Sequence, residues 1–208
     1  MSKKISKRKT CYILASVFSL LLFLVMLREA FDSIIDSWMS ERIVFLWSPF
    51  LNKAMIFITS IASPLALSIL SVAVLSVLIY KKRFHQSLLF LIGMIGGLML
   101  GLLIKSIVHR ARPQNTLVEA AGYSFPSGHA SMALIFFSLV IYLFKNDIKS
   151  VIPKYSFIIG NITLFLLIGF SRVYLNVQTG LMMNLGVMIV VTIVIGLIGS
   201  YMFSKIEI

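Results

Sequence analysis

The chain has 208 residues, of which 59% are hydrophobic and only 12% are charged. A soluble domain carries about 25% charged residues, so this composition excludes an ordinary water-soluble protein and an intrinsically disordered one. The formal net charge of +12 does not indicate nucleic-acid binding, because the basic residues stand in short clusters between apolar runs, where they orient membrane spans and meet anionic headgroups.

Apolar runs recur along the whole chain. A helix that crosses a bilayer needs about 20 mainly apolar residues. Six runs fit, at roughly 10–28, 54–80, 86–108, 127–144, 155–172 and 180–203. They predict an all-α bundle of six transmembrane helices in one domain over residues 1–208, with a short basic tail at 1–9.

Basic residues predict how the bundle is oriented. If the chain crosses the membrane six times, its main basic clusters all lie on one side: the N-terminal cluster, Lys81 to Arg83, the lysines at 145–154, and Lys205. Because cytoplasmic loops are enriched in Lys and Arg, both termini are predicted to be cytoplasmic. The size and the lysine-rich inner loops suit a bacterial plasma membrane, crossed several times.

The first outer connection, residues 29–53, combines acidic and aromatic residues. That composition predicts a short amphipathic helix lying in the outer interface. In the third span, Gly93, Gly97 and Gly101 are four residues apart, a spacing that lets helices approach closely in lipid. We expect packing within the chain rather than dimerisation, and the sequence leaves the oligomeric state open.

Three cations break the charge pattern at the outer side. Lys105, Arg112 and Arg172 come from separate parts of the chain, and all are predicted near outer helix ends. A cation at the membrane centre costs about 2.5 to 3.5 kcal/mol on insertion scales. Each one alone is explained by snorkelling to the headgroups. Together they predict a site that an anion neutralises, since Arg and Lys bind phosphate oxygens well.

The fourth span begins with Pro126-Ser127-Gly128-His129. The free amide groups of a first helical turn can face an anion. Ser127 is suited to cap the helix and donate a hydrogen bond, and Gly128 lets an oxyanion approach the backbone. His129, one residue later, is placed to give a proton to a leaving oxygen.

These residues resemble the type-2 phosphatidic acid phosphatase family, which shares its active-site plan with the vanadium haloperoxidases. The family's first motif is Lys, six residues, then Arg-Pro, as in Lys105 to Arg112-Pro113; its second is Pro-Ser-Gly-His, as in Pro126 to His129. The third begins Ser-Arg, as in Ser171-Arg172, and continues with five residues and then His, followed by three residues and then Asp. Here those positions hold Gln178 and Met182.

The resemblance implies a role for each residue. Lys105, Arg112 and Arg172 hold the phosphate, Ser127 and the Gly128 amide hydrogen-bond it, and His129 is the general acid. The nucleophile position is Gln178 and the position of its orienting Asp is Met182. A Gln amide cannot form the phospho-enzyme as an imidazole does. No metal or other cofactor is implied.

Two main hypotheses follow. The first is a membrane protein of lipid-phosphatase type that binds the phosphate head of a phospholipid or polyprenyl (pyro)phosphate at the outer leaflet without the family's hydrolysis. The alternative is an active phosphatase on undecaprenyl pyrophosphate, phosphatidylglycerol phosphate or phosphatidic acid, using a divergent mechanism such as water activated by His109. A third hypothesis is that the site was altered by design.

Overall fold

The computed structural model describes residues 41–109, 116–118 and 122–176. These residues form helices and connections, with no strand among them. A 3-10 helix, Val44–Leu46, precedes five α-helices: α1 Pro49–Ser60, α2 Pro64–Tyr80, α3 Phe84–Val108, α4 Gly128–Phe144 and α5 Val151–Tyr174. The predicted all-α class is therefore confirmed for the described part of the chain.

The predicted second span is not one helix. Residues 54–80 are divided between α1 and α2, whose axes differ by 45°. The physical reason is a helix start inside the apolar run: the Ser63 side chain accepts a hydrogen bond from the Ala66 amide, and Pro64 occupies the first turn. Ser caps and Pro at the first position both favour a new helix at this point.

Helix lengths support part of the predicted membrane topology. Two of the described helices, α3 and α5, are long and apolar enough to cross a membrane, and the bent pair α1–α2 is a third candidate if it acts as one span. With 17 residues, α4 is shorter. The predicted spans at 10–28 and 180–203 lie outside the described residues, so the count of six stays a prediction.

The outer connection at 29–53 is described only from residue 41 onward. Residues 41–43 are helical, residues 44–46 form a 3-10 turn, and α1 begins at Pro49, capped by Ser48. The predicted amphipathic helix stays a prediction. Ile43 and Trp47 pack against Tyr174 and Leu175 at the end of α5. This part of the connection therefore covers the end of a helix. Residues 29–40 lie outside the described part.

The helix α4 lies at the centre of the described bundle. Its buried side chains contact α2, α3 and α5, and Phe136 meets Phe90 of α3 edge-on with ring centroids 5.9 Å apart. Large apolar side chains on the outer faces, such as Val72, Leu103 and Leu166, are exposed. A surface this rich in exposed apolar side chains is suited to lipid.

An ion-pair cluster marks one end of the bundle. Lys81 Nζ and Arg83 Nη2 lie 2.9 and 2.7 Å from the two carboxylate oxygens of Asp147. Hydrogen bonds from Arg83 and then Lys81 lower the pKa of the Asp147 carboxyl. The cluster joins the α2–α3 connection to the α4–α5 connection, so α3 and α4 are antiparallel. This agrees with the prediction that both basic connections lie on one side, whereas the assignment of that side to the cytoplasm stays a prediction.

Gly97 allows α3 and α4 to touch. A Cβ on Gly97 would overlap the δ-methyl of Ile135, a side chain that is only 2% exposed, whereas a Cβ on the neighbouring Gly96 would meet nothing within 4 Å. The predicted close packing within the chain is therefore found at Gly97. At Gly101, by contrast, a Cβ would have open space.

We expect Gly97→Ala to lower the free energy of unfolding relative to Gly96→Ala by about 1 to 3 kcal/mol, the usual range for overpacking. Both substitutions gain the same helix propensity, so their difference isolates the contact with Ile135. The check is thermal unfolding of both variants in the same detergent. Equal stabilities would show that α3 and α4 do not pack as described.

Candidate functional site

The start of α4 has the geometry that its sequence predicts. Ser127 is the N-cap, and its Oγ accepts a hydrogen bond from the Ala130 amide at 3.4 Å. Gly128 is the first helical residue, whereas Pro126 stands before the cap, so the Pro lies outside the helix rather than in its first turn. The predicted cap is confirmed, and the amide end of α4 points toward the end of the bundle opposite Asp147.

Lys105 lies beside this helix start. Gly97 meets Ile135 across the antiparallel pair of α3 and α4. A residue that lies two turns after Gly97 on α3 therefore faces a residue that lies two turns before Ile135 on α4. That register places Lys105, in the last turn of α3, beside Ser127. Independently, Lys105 and Gly128 line the same groove between the two helices. The structure thus brings together two motifs that lie more than 20 positions apart in the sequence.

Arg172 is buried rather than directed into lipid. It lies in the last turn of α5, is 6% exposed, and donates from Nη1 to Thr59 Oγ1 of α1 at 3.1 Å. The last turn of α5 is at the same end of the bundle as Lys105 and Ser127, because α4 and α5 are joined through the connection at Asp147. Arg172 does not line the groove that Lys105 and Gly128 share.

A set of hydrogen bonds fixes the backbone around Arg172. Trp47 Nε1 donates to the carbonyl oxygen of Tyr174 at 2.9 Å. The Tyr174 hydroxyl lies 3.0 Å from the carbonyl oxygen of Leu46 and 2.8 Å from Asn52 Oδ1. The amide of Leu117 donates to the carbonyl oxygen of Leu175. These contacts fix the end of α5 at Tyr174 and Leu175, two and three residues beyond Arg172.

Thr59 and this anchoring set were not found from the sequence. Thr59 is 113 positions from Arg172 and stands in an apolar helix with no motif around it. Trp47 is one of the aromatic residues of the outer connection at 29–53, for which the sequence predicts only an interfacial role. The structure shows that Thr59 is only 7% exposed. Because a buried hydroxyl needs a hydrogen-bond partner, this burial indicates that Thr59 has a role that the sequence does not reveal.

We expect Thr59→Val to weaken binding of vanadate, because the variant keeps the shape of the side chain but removes the acceptor that orients Arg172. An unsatisfied buried donor also costs about 1 to 3 kcal/mol, so the free energy of unfolding should fall. Thr59→Ser, which keeps the hydroxyl, should restore both. The checks are vanadate titration and thermal unfolding.

Thr163→Val is the matched control for that series, because Thr163 is exposed on α5 and its substitution should change neither quantity. If Thr59→Val binds vanadate as the unsubstituted chain does, Thr59 has no positioning role.

The two outer histidines differ in their surroundings. His129 is half-buried in the first turn of α4. His109 is exposed, ends α3 in a left-handed conformation with φ 51°, and packs its ring edge-on against Tyr123 with centroids 4.6 Å apart. One ring nitrogen of His109, Nδ1, lies 3.3 Å from the carbonyl oxygen of Ile107. These contacts give His109 a structural place at the helix end.

Three predicted site residues, Arg112, Gln178 and Met182, lie outside the described residues. Of the others, Lys105, Ser127, Gly128 and His129 meet at the α3–α4 end, and Arg172 lies at the same end of the bundle. The described residues contain only two carboxylates, Glu41 and Asp147, and Asp147 is paired at the opposite end. The arrangement can therefore attract an anion through side-chain cations and the amides of a helix start.

Comparison with known proteins assigns the chain to a family. A family model described as the PAP2 superfamily matches residues 65–205. The chain belongs to the PAP2 superfamily. A curated relative, phosphatidylglycerophosphatase B of Bacillus subtilis (strain 168), is 30% identical over 167 residues, which cover 77% of this chain and 82% of that protein.

A solved structure has the same fold. It is the crystal structure of a transmembrane PAP2-type phosphatidylglycerolphosphate phosphatase from Bacillus subtilis, with a TM-score of 0.78 and 24% sequence identity, covering 91% of this chain and 97% of that one. The predicted family is therefore confirmed, and the chain is a multi-pass membrane protein of PAP2 type. The family acts on membrane lipid phosphates, which agrees with the predicted class of partner.

Proposed function

We propose that this PAP2 protein binds the phosphate head of a membrane lipid at the extracytoplasmic ends of its helices and does not hydrolyse it at the rate of its relatives. The observation that carries the proposal is the meeting of Lys105 with the capped start of α4. The buried Arg172 at the same end supplies a second cation. Anionic headgroups are the natural ligands for such a surface.

Each group in the proposed site has a defined task. The Lys105 ammonium attracts the phosphate as a point charge, and the Arg172 guanidinium offers a planar fork of donors. The Gly128 amide and the Ser127 hydroxyl hydrogen-bond the remaining oxygens. Arg112 completes the set by the family motif. His129, one residue into α4, is placed to protonate a leaving oxygen if a reaction occurs.

The proposed lack of turnover rests on Gln178 and Met182. A Gln side-chain amide has no nucleophilic nitrogen lone pair, so it forms no covalent phosphoryl intermediate. Met182 offers no carboxylate that could orient a base. Both residues leave the proposed phosphate ligands in place, because Lys105, Gly128 and Arg172 are present at their motif positions. The protein would then act as a sensor, carrier or partner subunit for a lipid phosphate.

The second candidate function is hydrolysis of a glycerophospholipid phosphate such as phosphatidylglycerol phosphate. The observation in its favour is the 30% identity with a relative that is a phosphatidylglycerophosphatase B. It requires a route without the family's nucleophile, such as direct attack by water. His109 is poorly placed for that route, since its ring is held against Tyr123 outside the groove.

A turnover assay separates the two functions. The purified chain should bind phosphatidic acid and phosphatidylglycerol phosphate in mixed micelles, release little or no phosphate from either, and trap no phospho-enzyme. Steady release over many turnovers that is abolished by His129→Ala would establish the second candidate. An absence of both binding and release would contradict both candidates.

A further inference from the structure

A groove between α3 and α4 extends inward from the proposed phosphate site. It has a volume of about 140 Å³, close to that of an engineered cavity that holds benzene, about 150 Å³. It therefore has room for a short piece of a ligand rather than a whole lipid chain. Its walls include Gly97, Leu98, Gly101, Lys105, Gly128 and Ser131.

The two ends of the groove differ chemically. Lys105 and Gly128 stand at the outer end, beside the proposed phosphate position. Gly97 stands at the inner end, where its contact with Ile135 brings α3 and α4 together. Eight residues separate Lys105 from Gly97, which is about 12 Å along a helix. A ligand in the groove is therefore charged at one end and apolar at the other.

The width of the groove depends on Gly101. The register that joins Gly97 to Ile135 places Gly101 opposite Ser131, so two small residues face each other. A Cβ on Gly101 would meet nothing within 4 Å, which shows that helix packing does not require a glycine here. The missing side chain instead leaves the groove open.

Ser131 supplies a polar group halfway along the groove. Its Oγ is buried and has no hydrogen-bond partner among the described residues. Leaving a buried hydroxyl unsatisfied costs free energy, so the position favours a ligand with an acceptor at this depth. Ser131 is three residues beyond Gly128, about 4.5 Å further into the bundle.

We propose that this groove is the subsite for the glycerol-ester portion of a glycerophospholipid. This assignment of the groove rests on the proposed function, in which the phosphate binds beside Lys105 and Gly128. The Ser131 hydroxyl donates to an ester oxygen one helical turn below the phosphate. The first methylenes of an acyl chain occupy the space in front of Gly101.

The rest of the lipid leaves the groove sideways. Leu98 and Leu102, which line the groove, are 48% and 55% exposed on the surface of α3. Because Gly97 and Ile135 close the inner end, an acyl chain passes over these leucines into the surrounding hydrocarbon. A polyprenyl phosphate lacks the carboxylic-ester oxygens of an acylated glycerol, so it gains nothing from Ser131.

The test compares three ligands in detergent: vanadate, dioctanoyl phosphatidic acid and farnesyl phosphate. Gly101→Leu should retain vanadate affinity within about twofold and lose at least about tenfold in affinity for phosphatidic acid, since burial of two methylenes alone is worth about that factor. Gly96→Leu, on the outward side of the same helix, should bind all three as the unsubstituted chain does. Gly101→Ala is a milder second variant and should give an intermediate loss.

Ser131→Ala should weaken binding of phosphatidic acid while leaving farnesyl phosphate unchanged. The subsite is disproved if Gly101→Leu binds phosphatidic acid as tightly as the unsubstituted chain, or if Ser131→Ala affects both lipids equally. If the unsubstituted chain binds neither vanadate nor any lipid phosphate, the proposed function itself fails, and the subsite fails with it.

Discussion

Gln178→His combined with Met182→Asp is expected to turn this chain into a lipid phosphatase. The two changes restore the nucleophile and its orienting carboxylate of the family's third motif, while Lys105, Ser127 and Gly128 already lie together. In a serine hydrolase, loss of one member of the catalytic unit costs about 10⁴ to 10⁶ in kcat. We therefore expect phosphate release to rise by at least about a thousandfold.

The measurement is release of inorganic phosphate from phosphatidic acid and phosphatidylglycerol phosphate by the double variant. Gln178→Asn is the matched control, because it changes the same position without adding an imidazole, and it should remain inactive. Adding His129→Ala to the double variant should remove the new activity, since the leaving oxygen then lacks its acid. If the double variant binds lipid but releases no phosphate, the site does not have the family's geometry.

Arg172→Ala is expected to have the second largest effect, on affinity. The Arg172 side chain is 6% exposed and its Nη1 is held by Thr59, so it is preorganised inside the bundle. Hydrogen bonds to charged groups contribute about 1.5 to 3 kcal/mol. Binding of vanadate, tungstate or phosphate should therefore weaken by roughly 10- to 150-fold.

Two control variants separate the specific contact of Arg172 with the anion from the general effect of losing a positive charge. Lys149→Ala removes the same charge from an exposed position in the α4–α5 connection, at the opposite end of the bundle, and should leave the affinity unchanged. Arg172→Lys keeps the charge but loses the planar fork, so an intermediate loss is expected. If Arg172→Ala and the unsubstituted chain bind equally, the guanidinium has only a structural role in the fold.

Local signals in the sequence predicted much of the fold and part of the site. The apolar run at 86–108 corresponds to α3, and the cap at Ser127 depends on residues three positions apart, so neither needs the tertiary structure. The family motif then related Lys105 to Ser127 through spacing alone. The structure adds the physical basis, which is the antiparallel register set by Gly97 and Ile135.

Other features could not be predicted, because they depend on contacts between distant residues or because a hydropathy window averages over them. The break between α1 and α2 was missed because a hydropathy window spreads the effect of Ser63 and Pro64 over a long apolar run. Thr59 was missed because its partner is 113 positions away. The open space at Gly101 was also hidden, because the sequence pattern treats Gly97 and Gly101 alike, whereas only Gly97 contacts the facing helix.

The central claim is that cations from separate helices and the start of α4 surround one oxyanion. The most direct measurement is a crystal structure of the purified protein soaked with tungstate, with the tungsten located by its anomalous scattering. We expect one strong site, with the Lys105 ammonium, the Arg172 guanidinium and the Gly128 amide in hydrogen-bond contact with its oxygens. Tungstate bound only at the basic connections near Lys81 and Arg83, or at no ordered position, would contradict the account.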